Sequence, residues 1–238
     1  MRPVTARTAS SSGATASFGA SASFGASLGS QLAAARLLGL YYSGVTVWMV
    51  VAFGVAYGAG MFPTAVLVGH KIGHDPTSEG SGNPGATNIY RLGGRLAGVA
   101  VALGDMAKGA APVGAVLLLW DRPEAMAAWI GAVAGHVWPA VRRFRGGKGM
   151  ATAGGGGIVL DPLIGLICVV VFFGMVRLTR VAALGSLSVG VSYPVLALLL
   201  GWPGPEVIVA AVVMGVMAMR HHGNIVRLVR GTERRLRT

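Results

Sequence analysis

The chain has 238 residues, 53% of them hydrophobic and 12% charged, with a mean hydropathy of +0.65. Soluble globular domains carry about 25% charged residues, so the composition excludes an ordinary soluble fold and points to an integral membrane protein. The net charge of +12 then reads as basic residues gathered on one membrane face rather than a nucleic-acid surface, and the lone Cys168 excludes an internal disulfide and a cysteine-cluster metal site.

Residues 1–36 are rich in Ser, Ala and Gly and contain no Asp or Glu. Such a segment cannot bury enough apolar surface to fold. It reads as a disordered extension; a transit peptide and a misplaced start are the other readings. Residues 37–226 read as the membrane domain and 227–238 as a basic cytoplasmic tail.

Seven apolar segments follow, near 45–70, 96–119, 124–141, 149–160, 162–179, 181–200 and 206–222. A spanning helix needs about 20 residues, so the third and fourth are short. The run Gly154 to Gly157 weakens the fourth in water, although close packing in lipid offsets this. Fifteen of the twenty Lys and Arg fall in the loops after segments one, three and five and in the C-terminal tail. The opposite loops hold Asp121, Arg122, Glu124, Asp161 and Glu206. By the positive-inside rule the expectation is an all-α polytopic protein of about seven transmembrane helices, N-terminus outside and C-terminus cytoplasmic.

Three patches on the basic side carry chemistry. The first is 78-SEGSGNPGATNIYRLGG-94. Alternating small and polar residues form anion-binding nests. Asn83, Thr87 and Asn88 are candidate caps of the next helix and candidate substrate ligands, and Arg91 offers a donor fork suited to phosphate. A plain turn with a helix cap is the alternative. The second is 142-RRFRGGKGMATAGGGG-157, preceded by 135-GHVWP-139. Gly146 and Gly147 allow close backbone approach to an anion, and Lys148 adds a point charge. It is not a nucleotide loop, because Gly149 and Met150 follow the lysine. Arg142, Arg143 and Arg145 also serve as positive-inside anchors. His136 is a base, a ligand, or an imidazole bonded to a backbone carbonyl. The third is 220-RHHGNIVRLVRGTE-233, with His221 and Asn224 at i and i+3 on one helical face; an amphipathic tail on anionic lipid is the alternative. Inside the second apolar segment, Asp105 and Lys108 are spaced to form an ion pair. Three patches on one face suggest a composite site for a strongly anionic substrate with two phosphates.

SGNPGATN at Ser81–Asn88, GDMAKG at Gly104–Gly109, GHVWPAVRRFRGGKGMAT at Gly135–Thr152 and HHGNIVRLVRGTE at His221–Glu233 resemble the bacterial acyl-phosphate:glycerol-3-phosphate acyltransferase family, over roughly residues 45–233. The resemblance implies a seven-helix membrane fold. The implied reaction moves a fatty acyl group from acyl phosphate to the sn-1 hydroxyl of glycerol 3-phosphate, the first step of phospholipid synthesis. The products are lysophosphatidic acid and phosphate, with no metal and no other cofactor. Membrane lipids and the soluble enzyme that makes acyl phosphate are the implied partners. By resemblance, Ser81, Gly82, Asn83 and the Gly146–Gly147–Lys148 backbone and ammonium hold the donor phosphate. Thr87, Arg91, His221 and Asn224 line the acceptor and reacting region. The hydroxyl proton goes to His221 or to the leaving phosphate; the latter is favoured, since no carboxylate beside His221 orients it. One departure stands out: Ala182 and Ala183 occupy positions where the family often shows serines, and Ser186 lies downstream.

Two readings compete with acyl transfer. One is a transporter or channel for an organic phosphate, with Asp105 and Lys108 in its path. The other is a lipid-binding scaffold, which leaves SGNPGATN and GGKG without a role.

Overall fold

The computed structural model describes residues 45–236. The expected extension, residues 1–36, lies outside the described residues. Within them the chain is helical, with no strand. The helices are α1 (Val47–Gly60), α2 (Thr64–Lys71), α3 (Ala86–Leu119), α4 (Arg122–Val137), α5 (Met150–Leu160), α6 (Pro162–Thr179), α7 (Ala182–Leu199), α8 (Gly204–Arg220) and α9 (His222–Val229), with a 3₁₀ turn at Ala140–Arg142.

Each expected apolar segment forms helix, but the lengths differ. Four stretches are long and apolar enough to cross a membrane: Val47–Lys71, Ala86–Leu119, Pro162–Thr179 and Ala182–Leu199. A fifth is reached if α8 and α9, bent by 60° at His221, count as one. Helix α3 begins about ten residues before the expected segment and absorbs a non-helical Gly94 at φ 82°. Thr87, Asn88 and Arg91 therefore stand on its first turns. Helix α5 has 11 residues, roughly 16 Å of rise, about half a hydrocarbon core. Both α4 and α5 are mostly buried, so neighbouring helices surround them instead of lipid.

Small residues let these inner helices approach closely. A Cβ at Gly131 or Gly135 on α4 would strike the Phe53 or Tyr57 carbonyl of α1. One at Gly109 on α3 would strike the Thr152 carbonyl, and one at Gly155 on α5 the Met106 carbonyl. This is the small-residue packing expected where apolar burial gives no net drive between helices. Trp129 and Tyr193 join α4, α5 and α7. Trp129 Nε1 donates to Ala153 O at 2.8 Å, Tyr193 Oη to Gly157 O at 2.8 Å, and the ring centroids are 5.3 Å apart. Large apolar side chains face outward instead: Leu96, Leu118 and Leu178 are each more than 80% exposed.

Charges separate to the two ends of α4. At its start, Arg122 pairs with Glu206, donates to Leu160 O and stacks over Trp202 at 4.3 Å, and Trp202 Nε1 donates to Asp161 Oδ2 at 3.0 Å. At its other end, about 24 Å away for 16 residues, the chain enters the Gly146–Gly149 loop. The α3–α5 crossing gives a direct test. Gly155→Val should lower unfolding stability in detergent by about 1–3 kcal/mol through overpacking; unchanged thermal unfolding would show that the crossing yields.

Candidate active site

The three patches meet at one end of the helix bundle. The first loop is knit from within. Asp75 accepts from Thr77 N at 2.9 Å, and Glu79 accepts from Asp75 N at 2.8 Å and pairs with His74 at 2.7 Å. These contacts hold both exposed carboxyls below the usual carboxylate range, chiefly through the backbone N–H donors. Asn88 then staples the loop to α3. Its amide donates to Pro76 O at 3.1 Å and Glu79 O at 3.0 Å, and its oxygen accepts from Ser81 N at 2.9 Å. The expected caps are not formed, because Gly85 is the N-cap and no side chain bonds there. Ser81, Asn83, Thr87 and Arg91 line the cavity described below, while Gly82 and Asn88 are not on its wall. Asn88 shapes the loop with its whole amide group engaged.

The second loop is held from behind. Gly147 N donates to His136 O at 3.1 Å, and Arg220 donates to the carbonyls of Gly147 and Gly146 at 3.3 and 3.2 Å. A Cβ at Gly147 would strike the His136 ring. Both glycines are buried and off the cavity wall. They serve close packing, and the Gly147 N–H is already committed to a carbonyl. Arg143 and Arg145 are exposed. The His136 ring meets the Thr152 hydroxyl at 3.1 Å instead of a backbone carbonyl, and lies 3.8 Å from Asp105. Asp105 and Lys108 form the expected pair at 2.9 Å, and Lys108 also donates to Phe62 O at 3.0 Å.

Lys148 points from this loop to the third patch and donates to Asn224 Oδ1. Asn224 Nδ2 donates to Glu233 Oε1 at 2.9 Å, and Arg227 Nε pairs with Glu233 Oε2 at 2.8 Å. Burial is the main force that pushes the Lys148 ammonium down to about 8; Glu233 opposes it, and Arg227, Arg91 and Arg220 add to it. His221 Nδ1 lies 2.8 Å from Met217 O. A carbonyl only accepts, so Nδ1 carries the proton and a neutral ring keeps Nε2 as an acceptor. A main-chain group therefore orients His221 where no neighbouring carboxylate was expected to.

Arg91 donates to Arg234 O at 3.1 Å, and its Nε is buried without a hydrogen-bond partner among the described residues. Arg234 reaches Gly80 O at 2.9 Å, and Leu236 N donates to Arg180 O at 2.7 Å. The tail thus lies across the mouth of the site. Arg227, Glu233 and Arg234, like Arg220, stood out in the sequence only as parts of the basic patch and its motif, not as site residues. Glu233 did leave a trace there, as the one carboxylate among residues 220–238.

These groups open into one cavity of about 360 Å³. Its polar end carries Ser81, Thr87, Arg91, Lys148, His221 and Asn224. Gly149, at φ 82°, turns the chain into α5, whose first residues Met150 and Ala151 also line that end. Their N-terminal N–H groups and helix dipole favour an anion. The apolar limb runs past Ile158, Cys168, Phe172, Val189, Tyr193 and Met214. Ala182, Ala183 and Ser186 lie on the wall; the Ser186 hydroxyl is spent on Ala182 O at 3.1 Å. No group of three or more His, Cys, Asp or Glu that could hold a metal occurs among the described residues.

A helical membrane protein with an anion site opening into an apolar limb is built for an amphiphilic phosphate. The family model described as glycerol-3-phosphate acyltransferase matches residues 50–231, and the chain belongs to that family. It is 42% identical over 183 residues to a glycerol-3-phosphate acyltransferase of Trichlorobacter lovleyi, covering 75% of this chain and 92% of the relative. It is 40% identical over 182 residues to one of Rubrobacter xylanophilus, covering 76% and 92%. Among solved structures it resembles PlsY, an integral membrane glycerol 3-phosphate acyltransferase. For the glycerol 3-phosphate form the TM-score is 0.77 at 30% identity, with 80% of this chain and 96% of that chain covered. For the lysophosphatidic acid form the TM-score is 0.74 at 29% identity.

Glu233 gives the sharpest electrostatic test. Its charge supports the protonated form of Lys148. Glu233→Gln should therefore lower the Lys148 pKa below about 8 and move the alkaline fall of activity to lower pH. Loss of activity with an unmoved pH profile would assign Glu233 to folding alone.

Proposed function

We propose that this protein transfers a fatty acyl group from acyl phosphate to the sn-1 hydroxyl of glycerol 3-phosphate, releasing lysophosphatidic acid and inorganic phosphate. The carrying observation is the single cavity that joins the Lys148–Arg91–His221 cluster to an apolar limb. Donor and product each combine an anionic head with a long chain, and each fits such a cavity. The chain crosses the inner membrane of a bacterium about seven times, N-terminus outside, with the site on the cytoplasmic face. The separation of basic and acidic clusters to opposite ends of α4 supports this topology. The donor comes from a soluble enzyme on that face, and membrane lipids surround the helices.

The steps follow from the groups present. Lys148 and the first N–H groups of α5 hold the donor's phosphate. Arg91, Thr87 and Asn224 hold the acceptor's phosphate and set its hydroxyl against the acyl carbon. Ser81 and Asn83 complete the donor side. The hydroxyl oxygen attacks the carbonyl carbon and the proton passes to His221 Nε2. The carbon–oxygen bond to phosphate then breaks and His221 returns the proton to the departing phosphate. No acyl-enzyme is required, because the donor is already a mixed anhydride.

Purified protein in lipid should release phosphate from acyl phosphate only when glycerol 3-phosphate is present. Uptake of glycerol 3-phosphate into proteoliposomes without donor, and no such release, would instead establish a transporter. Lys148→Ala should cost about 10²–10³ in kcat. In the free enzyme kcat/KM should hold up to about pH 8 and fall above it, as the ammonium is lost. His221→Asn should cost roughly 10²–10⁴; a loss below this range would send the proton directly to the leaving phosphate.

A further inference from the structure

The four glycines 154–157 on α5 divide by what each one faces. A Cβ at Gly155 would meet the Met106 backbone, one at Gly156 the Trp129 ring, and one at Gly157 the Tyr193 ring. A Cβ at Gly154 would meet nothing within 4 Å, and Gly154 lies on the cavity wall. Helix packing therefore accounts for three of the four and leaves Gly154 over. A glycine in a helix interior costs about 0.5–1 kcal/mol relative to alanine, so an unused one calls for a reason.

That reason lies in the bore of the apolar limb. Ala151, Gly154 and Ile158 share one helix face at i, i+3 and i+7, and all three line the cavity. Gly154 stands roughly 6 Å along α5 from Met150, and Ile158 about 6 Å deeper. Tyr193 bounds the inner part of the limb. Its hydroxyl is tied to Gly157 O at 2.8 Å, and Trp129 and Trp202 flank its ring at 5.3 and 5.9 Å. From Ala182 to Tyr193, α7 descends about 16 Å. Carbon–carbon bonds of ~1.52 Å advance an extended chain by about 1.25 Å per carbon, so roughly a dozen carbons lie alongside that stretch.

We propose that Gly154 determines whether the enzyme accepts a long acyl chain: its missing side chain keeps the limb open one turn inside the polar mouth, and the pinned Tyr193 ring closes its inner end. This rests on the acyl-phosphate reading above. A side chain at position 154 would meet the chain a few carbons from the carbonyl and leave the phosphate sites untouched.

The experiment compares butyryl phosphate with lauroyl phosphate as donors, at saturating glycerol 3-phosphate, for wild-type protein, Gly154→Ala and Gly154→Leu. Wild type should prefer the long donor. Gly154→Leu should keep the butyryl rate and the KM for glycerol 3-phosphate. It should lower the lauroyl-to-butyryl ratio by roughly 60-fold, for three displaced methylenes at about fourfold each. Gly154→Ala should fall between the two and stay folded, since its Cβ has open space.

A second readout needs no turnover. Cys168 is the one cysteine of the chain and lies on the limb. Dodecyl phosphate, which cannot transfer an acyl group, should slow modification of Cys168 by a methyl methanethiosulfonate reagent. It should do so in wild type and fail to in Gly154→Leu. A lauroyl-to-butyryl ratio and Cys168 protection that are unchanged in both variants would overturn the role of Gly154 while leaving the acyltransferase intact. A wild type that transfers neither donor would overturn the functional reading itself.

Discussion

Lys148 is partly buried among cations, and among the described residues no carboxylate bonds it directly. It donates to the neutral Asn224, and the negative charge that supports it is Glu233, which is already shared with Asn224 and Arg227. The other buried carboxylate nearby, Asp105, is occupied by Lys108. The site is thus short of negative charge, which suits it to an anionic ligand. Much of the surrounding structure keeps this arrangement from relaxing. Arg220 grips the loop carbonyls before Lys148, His136 presses against Gly147 and bonds Thr152 after it, and Asn88 locks the facing loop.

The sequence made the polar residues legible and left their directions hidden. Ser81, Thr87, Arg91, Lys148, His221 and Asn224 stand out because hydroxyls, amides and cations are rare in so oily a chain, and the structure brings them to one cavity. The same logic placed Asn88, Gly146 and Gly147 against substrate. Asn88 turns toward three main-chain groups, and the two glycines make room for His136 and Arg220. A glycine that admits a ligand and one that admits a neighbouring backbone read alike in a sequence. Only the atoms opposite distinguish them, as Gly154 and Gly155 show within two residues.

Helix count depended on a different ambiguity. Hydropathy marks apolar runs but does not say whether lipid or protein surrounds them. The 16 residues of α4 and the 11 of α5 are short for crossing lipid alone, yet both are mostly buried among other helices. Intrahelical bonds satisfy their backbone, and neighbouring helices cover much of their surface. The sequence left the tail open between an anion-binding patch and an amphipathic segment on lipid. Its arginines suggest lipid headgroups, while Glu233, Arg234 and the Leu236 amide tie it to α9, to the first loop and to the α6–α7 turn.

Helix α4 shows how such a short element can organise the whole. Its small face against α1 and its Trp129 contact with α5 leave it little freedom to slide. At one end Arg122 fastens it to Glu206 and the Leu160 carbonyl, and Trp202, stacked beside Arg122, reaches the Tyr193 ring that ends the apolar limb. At the other end His136 fixes the loop that carries Lys148. One rigid helix therefore sets both the position of the loop that carries Lys148 and its distance from the limb wall at Tyr193. An enzyme that must hold a charged head and an apolar chain in register needs that distance to be constant, and the dense glycine contacts around α4 and α5 are what keep it so.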